Sequence, residues 1–237
     1  MKKEIKFKFF TKNNGVSKGI YKSLNCGINS KDDHEKVISN IAIAANSISK
    51  KNKKIIIPTQ LHSNKCLLVK NLLKEYKCDA LVTNRNDIIL GITTADCIPI
   101  ILYDSKSSII GICHAGWRGL FSGVIQNTIK KMRCLGSHNK DINLVIGPCI
   151  RKKSYEVSEE FINELIPKYR AFSSISRDKY YFDLPQLAAF IAVECGILKI
   201  HDMKQNTYTS NNYFSYRESK KKKFQDYGRN INMISIN

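Results

Sequence analysis

Three side chains in the sequence could together bind a metal ion. His62 and His114 each follow a short apolar run, and Cys97 lies between two such runs. Two imidazoles and one thiolate are ligands that suit zinc, and a set of three leaves a fourth position for water or substrate. If the strand ends that carry them meet in space, the three would form a catalytic zinc site.

The same residues leave other interpretations open. The intervals between them are long, so spacing alone does not indicate a metal, and the three could instead be a buried thiol and two hydrogen-bonded histidines. A cysteine hydrolase would use Cys97 as the nucleophile and His114 as the base. Asp96, next to Cys97 in the chain, could either carry protons or act as a structural cap.

A glycine-rich turn follows His114. Gly116 and Gly119 allow sharp turning, Arg118 offers a forked donor, and the helix predicted to follow has free N–H groups at its start. These features predict an anion site beside the metal. The alternative is an ordinary turn whose arginine pairs with a nearby carboxylate and whose Trp117 fills the core.

These residues must be positioned by many short elements. Apolar runs predict strands covered on both faces over 54–57, 65–69, 80–83, 88–93, 99–103 and 108–113, and further strands over 5–9, 143–146 and 231–234. Capping residues and apolar stripes predict helices over 33–49, 120–134, 158–165 and 183–196. The aromatic stretch 207–219 is predicted to be a hairpin or strand. We find no linker or repeat, so we expect one domain over residues 1–237.

Composition excludes several classes of protein. The net charge of +19 comes mostly from lysines in short runs without interleaved aromatics, so we expect no nucleic-acid partner. No apolar run is long enough for a membrane span, and the lysines at the start are interleaved with apolar residues, unlike a signal peptide. We therefore expect a cytoplasmic protein with no membrane contact.

The eight cysteines form no CxxC pair and predict free thiols. Cys113, Cys134 and Cys195 are expected to be buried.

Several motifs, in order along nearly the whole chain, resemble those of the YfiH family, also called laccase-domain or polyphenol-oxidase-like proteins. They are LNCG (24–27), QLH (60–62), DALVT (79–83), TADCIPIIL (94–102), HAGWRG (114–119), IGPCI (146–150), YEV (155–157) and FSYR (214–217). The family is regarded as purine nucleoside phosphorylases with adenosine deaminase activity. Its tail differs here: Asn206 stands where the family has a cysteine, Glu218 where it has a second arginine, and a lysine-rich insertion follows.

The resemblance implies a zinc site made of His62, Cys97 and His114, with copper a weaker candidate. It also implies an α+β (mixed α/β) fold in which two mixed β-sheets are layered between helices as a single YfiH-like domain. Cys97, His114, Asp96 and Arg118 are then the expected catalytic residues. The expected substrate-binding residues are Asn25, Arg118 and Arg217.

The predicted function is phosphorolysis of adenosine or inosine, with guanosine and methylthioadenosine as further candidates, together with deamination of adenosine to inosine. Phosphate held by Arg118 and the turn amides would attack the ribose C1′. Zinc would activate water for attack on the purine C6, with Asp96 as a proton carrier.

Three alternatives remain. A copper-dependent polyphenol oxidase would need more than the five histidines present. The others are the cysteine hydrolase using Cys97 and His114, and a structural metal domain that binds a protein partner. The sequence gives no oligomeric state.

Overall fold

Two large mixed β-sheets form the centre of the molecule. The computed structural model describes residues 4–237, so the first three residues of the lysine-rich start lie outside it. With strands numbered in chain order, the four-stranded sheet runs β1 (Ile5–Phe9), β13 (Asn230–Ile236), β5 (Ile88–Thr94), β2 (Lys54–Ile56). The six-stranded sheet runs β12 (Lys199–Asp202), β8 (Asn143–Ile146), β6 (Ile98–Asp104), β7 (Ile109–Ala115), β4 (Ala80–Thr83), β3 (Cys66–Leu68). Parallel pairs, such as β2 with β5, occur beside antiparallel ones in both sheets.

The two sheets face each other across an apolar core. Every residue of β7 is buried, and β5 and β6 are buried at all but one position each, which explains their continuous apolar sequences. Leu81, Ile101 and Ile112 of the larger sheet pack with Leu90 and Ile92 of the smaller. Each such side chain contributes about 1.5–3 kcal/mol on burial. This core fixes the ends of the central strands relative to one another.

Helices cover the outer faces. The 15-residue helix α1 (His34–Ile48) packs its apolar stripe on the four-stranded sheet and is capped by the Asp33 carboxylate. The six-stranded sheet is covered by α3 (Val124–Cys134) and α6 (Leu184–Glu194). The shorter helices are α2 (Trp117–Ser122), α4 (Glu159–Asn163), α5 (Pro167–Arg170) and α7 (Tyr216–Lys221). The predicted fold, two mixed sheets layered between helices, is confirmed.

The region after His114 differs from its prediction. The single helix predicted over 120–134 is two helices, α2 and α3, because Gly123 between them has a φ of 99°. Helix α2 begins at Trp117, and His114 lies within strand β7. The metal-ligating candidate is therefore held by sheet hydrogen bonds.

The C-terminal third contains the other differences. The hairpin predicted over 207–219 is wrong: this segment forms turns and helix α7, whose first turn is capped by Ser215. Strand β12 and a small antiparallel sheet, β10 (Ser173–Ser176), β11 (Lys179–Phe182), β9 (Glu156–Val157), were not predicted because their sequences lack a clear apolar pattern. Of the three cysteines expected to be buried, Cys113 is buried, Cys195 is half-buried and Cys134 is exposed.

Among the described residues, no helix is both long enough and apolar enough to cross a membrane.

Candidate metal centre and its two cavities

Among residues 4–237, one group of side chains could hold a metal ion, and it is the predicted one. The ligand atoms of His62, Cys97 and His114 all lie within 4.8 Å of one another. The two imidazole rings meet edge to face with centroids 4.8 Å apart. His114 comes from β7, Cys97 from the turn between β5 and β6, and His62 from the loop after β2. Both sheets therefore contribute to one centre.

The local backbone is shaped to bring these ligands together. His62 has a φ of 57° and Asp96, next to Cys97, a φ of 82°, values that side chains with a Cβ rarely adopt. A Cβ added at Gly116 would lie 2.9 Å from His62 Nδ1 and 3.1 Å from Cys97 Sγ. Gly116 therefore leaves the space in which the two ligands approach.

The donor set fits a tetrahedral ion of the zinc type. Bonds of about 2.0–2.3 Å to nitrogen and sulfur place tetrahedral ligands roughly 3.3–3.8 Å apart, so only a small closure of the observed cluster is needed. His62 is exposed, Cys97 partly buried and His114 buried. The centre is thus reached from solvent on the His62 side, as an open coordination position requires.

A buried aspartate that we did not predict from the sequence organises this centre. The Asp79 carboxylate accepts hydrogen bonds from the backbone N–H groups of Leu61 (3.2 Å), His62 (2.9 Å) and Ser63 (2.7 Å) and from the Ser63 hydroxyl (2.7 Å). It also accepts one from His114 Nδ1 at 2.9 Å. One carboxylate therefore holds the loop of one histidine and the ring of the other.

This arrangement gives each ring nitrogen of His114 a separate role. Because Nδ1 donates to Asp79, Nε2 is the nitrogen left to bind a metal, the usual carboxylate–histidine–metal relay. Burial alone would raise the pKa of Asp79, but the hydrogen bonds from His114 and Ser63 lower it to about 2. Against the effect of its own burial, the charges of Cys97 and Asp79 raise the pKa of His114 to about 9. The sequence signal was present in DALVT, whose first residue precedes β4.

The second buried aspartate, Asp96, faces the C-terminal segment. Its Oδ1 accepts a hydrogen bond from Thr207 Oγ1 (2.6 Å), and its Oδ2 accepts bonds from Ser215 Oγ (2.9 Å) and from the Arg217 backbone N–H (2.7 Å). Burial raises its pKa, and these bonds work in the opposite direction. Asp96 thus joins the Cys97 turn to the tail, the structural-cap role, while its proton-carrier role stays a prediction.

A cavity of about 440 Å³ opens on one side of the centre. We call it the arginine cavity, since it is lined by Trp117, Arg118, Tyr155, Leu184 and Arg217, together with His62, Cys97 and Tyr227. The Arg118 guanidinium lies 4.2 Å from the centre of the Trp117 ring, and Arg217 donates to the Glu156 carbonyl at 2.9 Å. Within residues 4–237 neither guanidinium forms an ion pair, so the predicted pairing of Arg118 with a nearby carboxylate does not occur.

A second cavity of about 250 Å³ also borders the centre. We call it the loop cavity, since it is lined by residues 26–29 together with Pro58, Thr93, Tyr227 and Arg229. His62, Cys97 and Tyr227 border both cavities. The Arg229 guanidinium forms an ion pair with Asp226 at 3.3 Å, donates to the Tyr227 carbonyl and lies 4.1 Å from the centre of the Tyr227 ring.

Asn25 supports the loop cavity from behind. Its amide donates to Ser30 Oγ (2.9 Å) and Asp32 Oδ2 (3.0 Å), and its Oδ1 accepts bonds from the backbone N–H groups of Gly27 and Arg229. The residue is completely buried. These bonds use the side chain within the protein, so Asn25 fixes the cavity wall, and direct contact with substrate stays a prediction.

Comparisons with known proteins agree with this architecture. A family model described as multi-copper polyphenol oxidoreductase laccase matches residues 6–237. Purine nucleoside phosphorylase RP494 of Rickettsia prowazekii is 32% identical over 224 residues, covering 92% of this chain and 90% of that protein. Purine nucleoside phosphorylase YlmD of Bacillus subtilis is 28% identical over 210 residues, covering 82% and 76%.

Solved structures show the same fold. A crystal structure of the Neisseria meningitidis protein NMB0706 matches with a TM-score of 0.87 and 27% identity, covering 98% of this chain and 94% of that one. The Bacillus licheniformis hypothetical protein YfiH matches with a TM-score of 0.87 and 26% identity, covering 98% and 93%.

Proposed function

On the premise that this chain belongs to the family described as multi-copper polyphenol oxidoreductase laccase, we propose that it is a zinc-dependent purine nucleoside phosphorylase acting as one catalytic domain. Its membership agrees with the resemblance to YfiH proteins seen in the sequence. The names of the Rickettsia and Bacillus relatives support the phosphorylase class. The observation that carries the proposal is a three-ligand centre placed beside two guanidiniums without carboxylate partners.

The family description alone would favour copper oxidation. A multicopper oxidase needs ligands for a mononuclear and a trinuclear centre, and the whole sequence has five histidines. Only one three-ligand group occurs among the described residues. We therefore favour a single zinc ion over copper.

The residues of the site divide the work of phosphorolysis. Arg118 and Arg217 would bind and orient phosphate, because two guanidiniums match its charge and offer paired donors. His114, held by Asp79, and His62 and Cys97 would hold the ion, which when bound supplies Lewis-acid stabilisation of developing charge.

We extend the proposal to deamination of adenosine, in which water replaces the C6 amino group and ammonia leaves. Inosine, adenosine, guanosine and methylthioadenosine are the substrates to compare. Purified protein is incubated with each nucleoside, with and without phosphate, and free base, ribose 1-phosphate and ammonia are measured together with bound metal by elemental analysis. Full zinc occupancy without turnover of any of these nucleosides would contradict the proposal.

The phosphate role of Arg118 has its own test. Replacing Arg118 by Ala removes a charged hydrogen-bonding group worth about 1.5–3 kcal/mol, so the KM for phosphate is expected to rise about 10- to 100-fold. Arg133→Ala, at an exposed position on α3, is the matched control. An unchanged dependence on phosphate would reject this role.

One observation favours a second candidate, a cysteine hydrolase. Asp79 orients His114 beside Cys97 much as the third member of a catalytic triad orients its histidine. The presence of His62 within the same cluster favours metal binding instead. Hydrolysis that persists in fully metal-free protein and is lost on alkylation of Cys97 would support the hydrolase.

A further inference from the structure

The two cavities that meet at the metal centre differ in charge, and this difference separates the two substrates. We propose that the loop cavity binds the neutral nucleoside while the arginine cavity binds phosphate. This inference rests on the proposed phosphorylase function and names the place and chemistry of nucleoside recognition.

Charge pairing gives the first argument. In the arginine cavity, Arg118 and Arg217 form no ion pair within residues 4–237, and the one carboxylate in the lining, Asp96, is bonded to Thr207, Ser215 and the Arg217 backbone, so two guanidiniums stand against one carboxylate. In the loop cavity, the charge of Arg229 is compensated by Asp226 at 3.3 Å. A phosphate dianion is favoured in the first environment, and an uncharged ligand loses nothing in the second.

The lining of the loop cavity gives the second argument. Two neighbours hold the Tyr227 ring in place. The Arg229 guanidinium packs over it, and the Tyr216 ring meets it edge to face with the ring centroids 5.1 Å apart. Pro58 and Ile28 add apolar surface, and Thr93 adds a hydroxyl. Because Tyr227 borders both cavities, the loop cavity is distinguished by the groups around that ring, which combine apolar surface and a hydroxyl without an unpaired charge and so suit a neutral heterocycle with polar edges.

The loop cavity is also built in advance of binding. A Cβ at Gly27 would lie 2.2 Å from Arg229 Cδ, so a glycine at this position gives the Arg229 side chain the space it occupies against the loop. Asn25 bonds both the Gly27 and Arg229 backbones, and this explains the buried asparagine and the glycine of LNCG together. A wall fixed in this way lowers the entropy lost on binding.

The chemistry requires the two substrates on opposite sides of one carbon. A phosphate oxygen forms a bond to the ribose C1′ as the C1′–N9 bond breaks, and the electron pair leaves with the purine, which takes up one proton. The attacking and leaving groups lie on opposite faces of C1′. The two cavities share the border formed by His62, Cys97 and Tyr227, so a nucleoside in one and a phosphate in the other would meet there.

Obstruction of the loop cavity tests the assignment. Ile28 is 45% exposed and borders the cavity, so Ile28→Trp adds bulk there without disturbing the core. Calorimetric titration of the metal-containing protein is expected to show a Kd for inosine at least about tenfold higher, with the Kd for inorganic phosphate within about twofold of wild type. Ile38→Trp, on α1 at 48% exposure and outside both cavities, is the matched control.

A second obstruction and a reciprocal variant complete the test. Asn29→Trp blocks the same cavity from the next residue, and Arg217→Ala is expected to weaken phosphate binding with little effect on inosine. The inference is overturned if both tryptophan variants bind inosine like wild type, or if they weaken phosphate to the same extent. Wild-type protein that neither binds nor cleaves any of the nucleosides overturns the phosphorylase function itself, which is a different result.

Discussion

Two buried aspartates border the candidate metal centre, and each serves a different part of it. Asp79 bonds only the segments that carry the two histidines. Asp96, next to the third ligand, bonds Thr207, Ser215 and Arg217 of the C-terminal segment. The pKa of Asp79 is lowered to about 2, whereas burial raises that of Asp96. One carboxylate thus fixes the two histidines of the candidate metal centre, and the other fixes the Cys97 turn to the C-terminal segment.

Removing one of the three candidate metal ligands is expected to have the largest effect on zinc binding and activity. The two aspartate variants are compared with it. Cys97→Ala leaves two imidazoles, so bound zinc and the rate of phosphorolysis are both expected to fall by more than about 100-fold. Replacing a residue that only orients a metal ligand typically lowers metal affinity or activity by less than this. Elemental analysis and product assays check this, with the exposed Cys134→Ala as the control. Full activity in metal-free Cys97→Ala protein would remove zinc from the mechanism.

Asp79→Asn is expected to give the next largest effect, which should be a loss of zinc affinity. The amide cannot hold His114 and the 61–63 loop as the carboxylate does, so zinc affinity should fall about 10- to 100-fold. Competition with a chromophoric chelator measures it, and Asp178→Asn in an exposed turn is the control.

The pH of that measurement follows from the pKa of Asp79. Because this pKa is lowered in the fold, the stabilising charge of Asp79 is fully present above roughly pH 4 and is lost as the pH falls through about 2. Titrations at pH 7 therefore compare a charged Asp79 with a neutral amide. Equal zinc affinity of variant and wild type there would break the distinction between the two aspartates.

Asp96→Asn is expected to act on the tail and leave the metal in place. It replaces one acceptor oxygen with a donor facing the Ser215 hydroxyl or the Arg217 N–H, so stability should fall by about 1–3 kcal/mol and the KM for phosphate should rise several-fold. Urea unfolding and steady-state kinetics measure these changes, with zinc affinity as the internal control. An altered pH profile of deamination with unchanged stability would instead support a proton-carrier role.

Ser215→Ala should have the smallest effect on stability. It also tests whether Asp96 acts on the C-terminal segment and leaves zinc binding unchanged. The hydroxyl donates to Asp96 and also accepts from the Glu218 N–H at 3.1 Å, capping α7. Its loss is expected to cost about 1 kcal/mol in urea unfolding without changing zinc affinity. Ser219→Ala is the control, because the Ser219 hydroxyl bonds only the Tyr216 carbonyl. An equal loss of stability in this variant would show that the bond between Ser215 and Asp96 does not contribute to stability.

The sequence predicted the parts of the molecule that are governed by local patterns. The three candidate ligands could be chosen from the sequence because apolar runs mark strands and each of the three lies at or near a strand end, and the central strands have nearly the predicted bounds. Asp79 was not predicted as a site residue although it is the first residue of the DALVT motif, because its bond to His114 joins residues 35 positions apart in the chain.

The tail was misread for a related reason. Its aromatic residues favour a strand by type, but Asp96 bonds Thr207 and Ser215 across more than 100 residues and so fixes the segment as turns and a helix. Ser215 also caps that helix locally through the Glu218 N–H. The break at Gly123 was missed because the apolar stripe continues past it. Long-range polar contacts and single backbone conformations are thus what the sequence pattern left open.

The position of the final strand has a consequence for biosynthesis. Strand β13 lies between β1 and β5, and Ile5 pairs with Ile236. A nascent chain still attached to the ribosome cannot close this sheet until residues 230–236 have emerged. Tyr227 and Arg229, just before that strand, reach their cavity at the same moment. The four-stranded sheet and the loop cavity should therefore be complete only after residues 230–236 have emerged, and polypeptides stalled before residue 230 should expose apolar strand edges to chaperones.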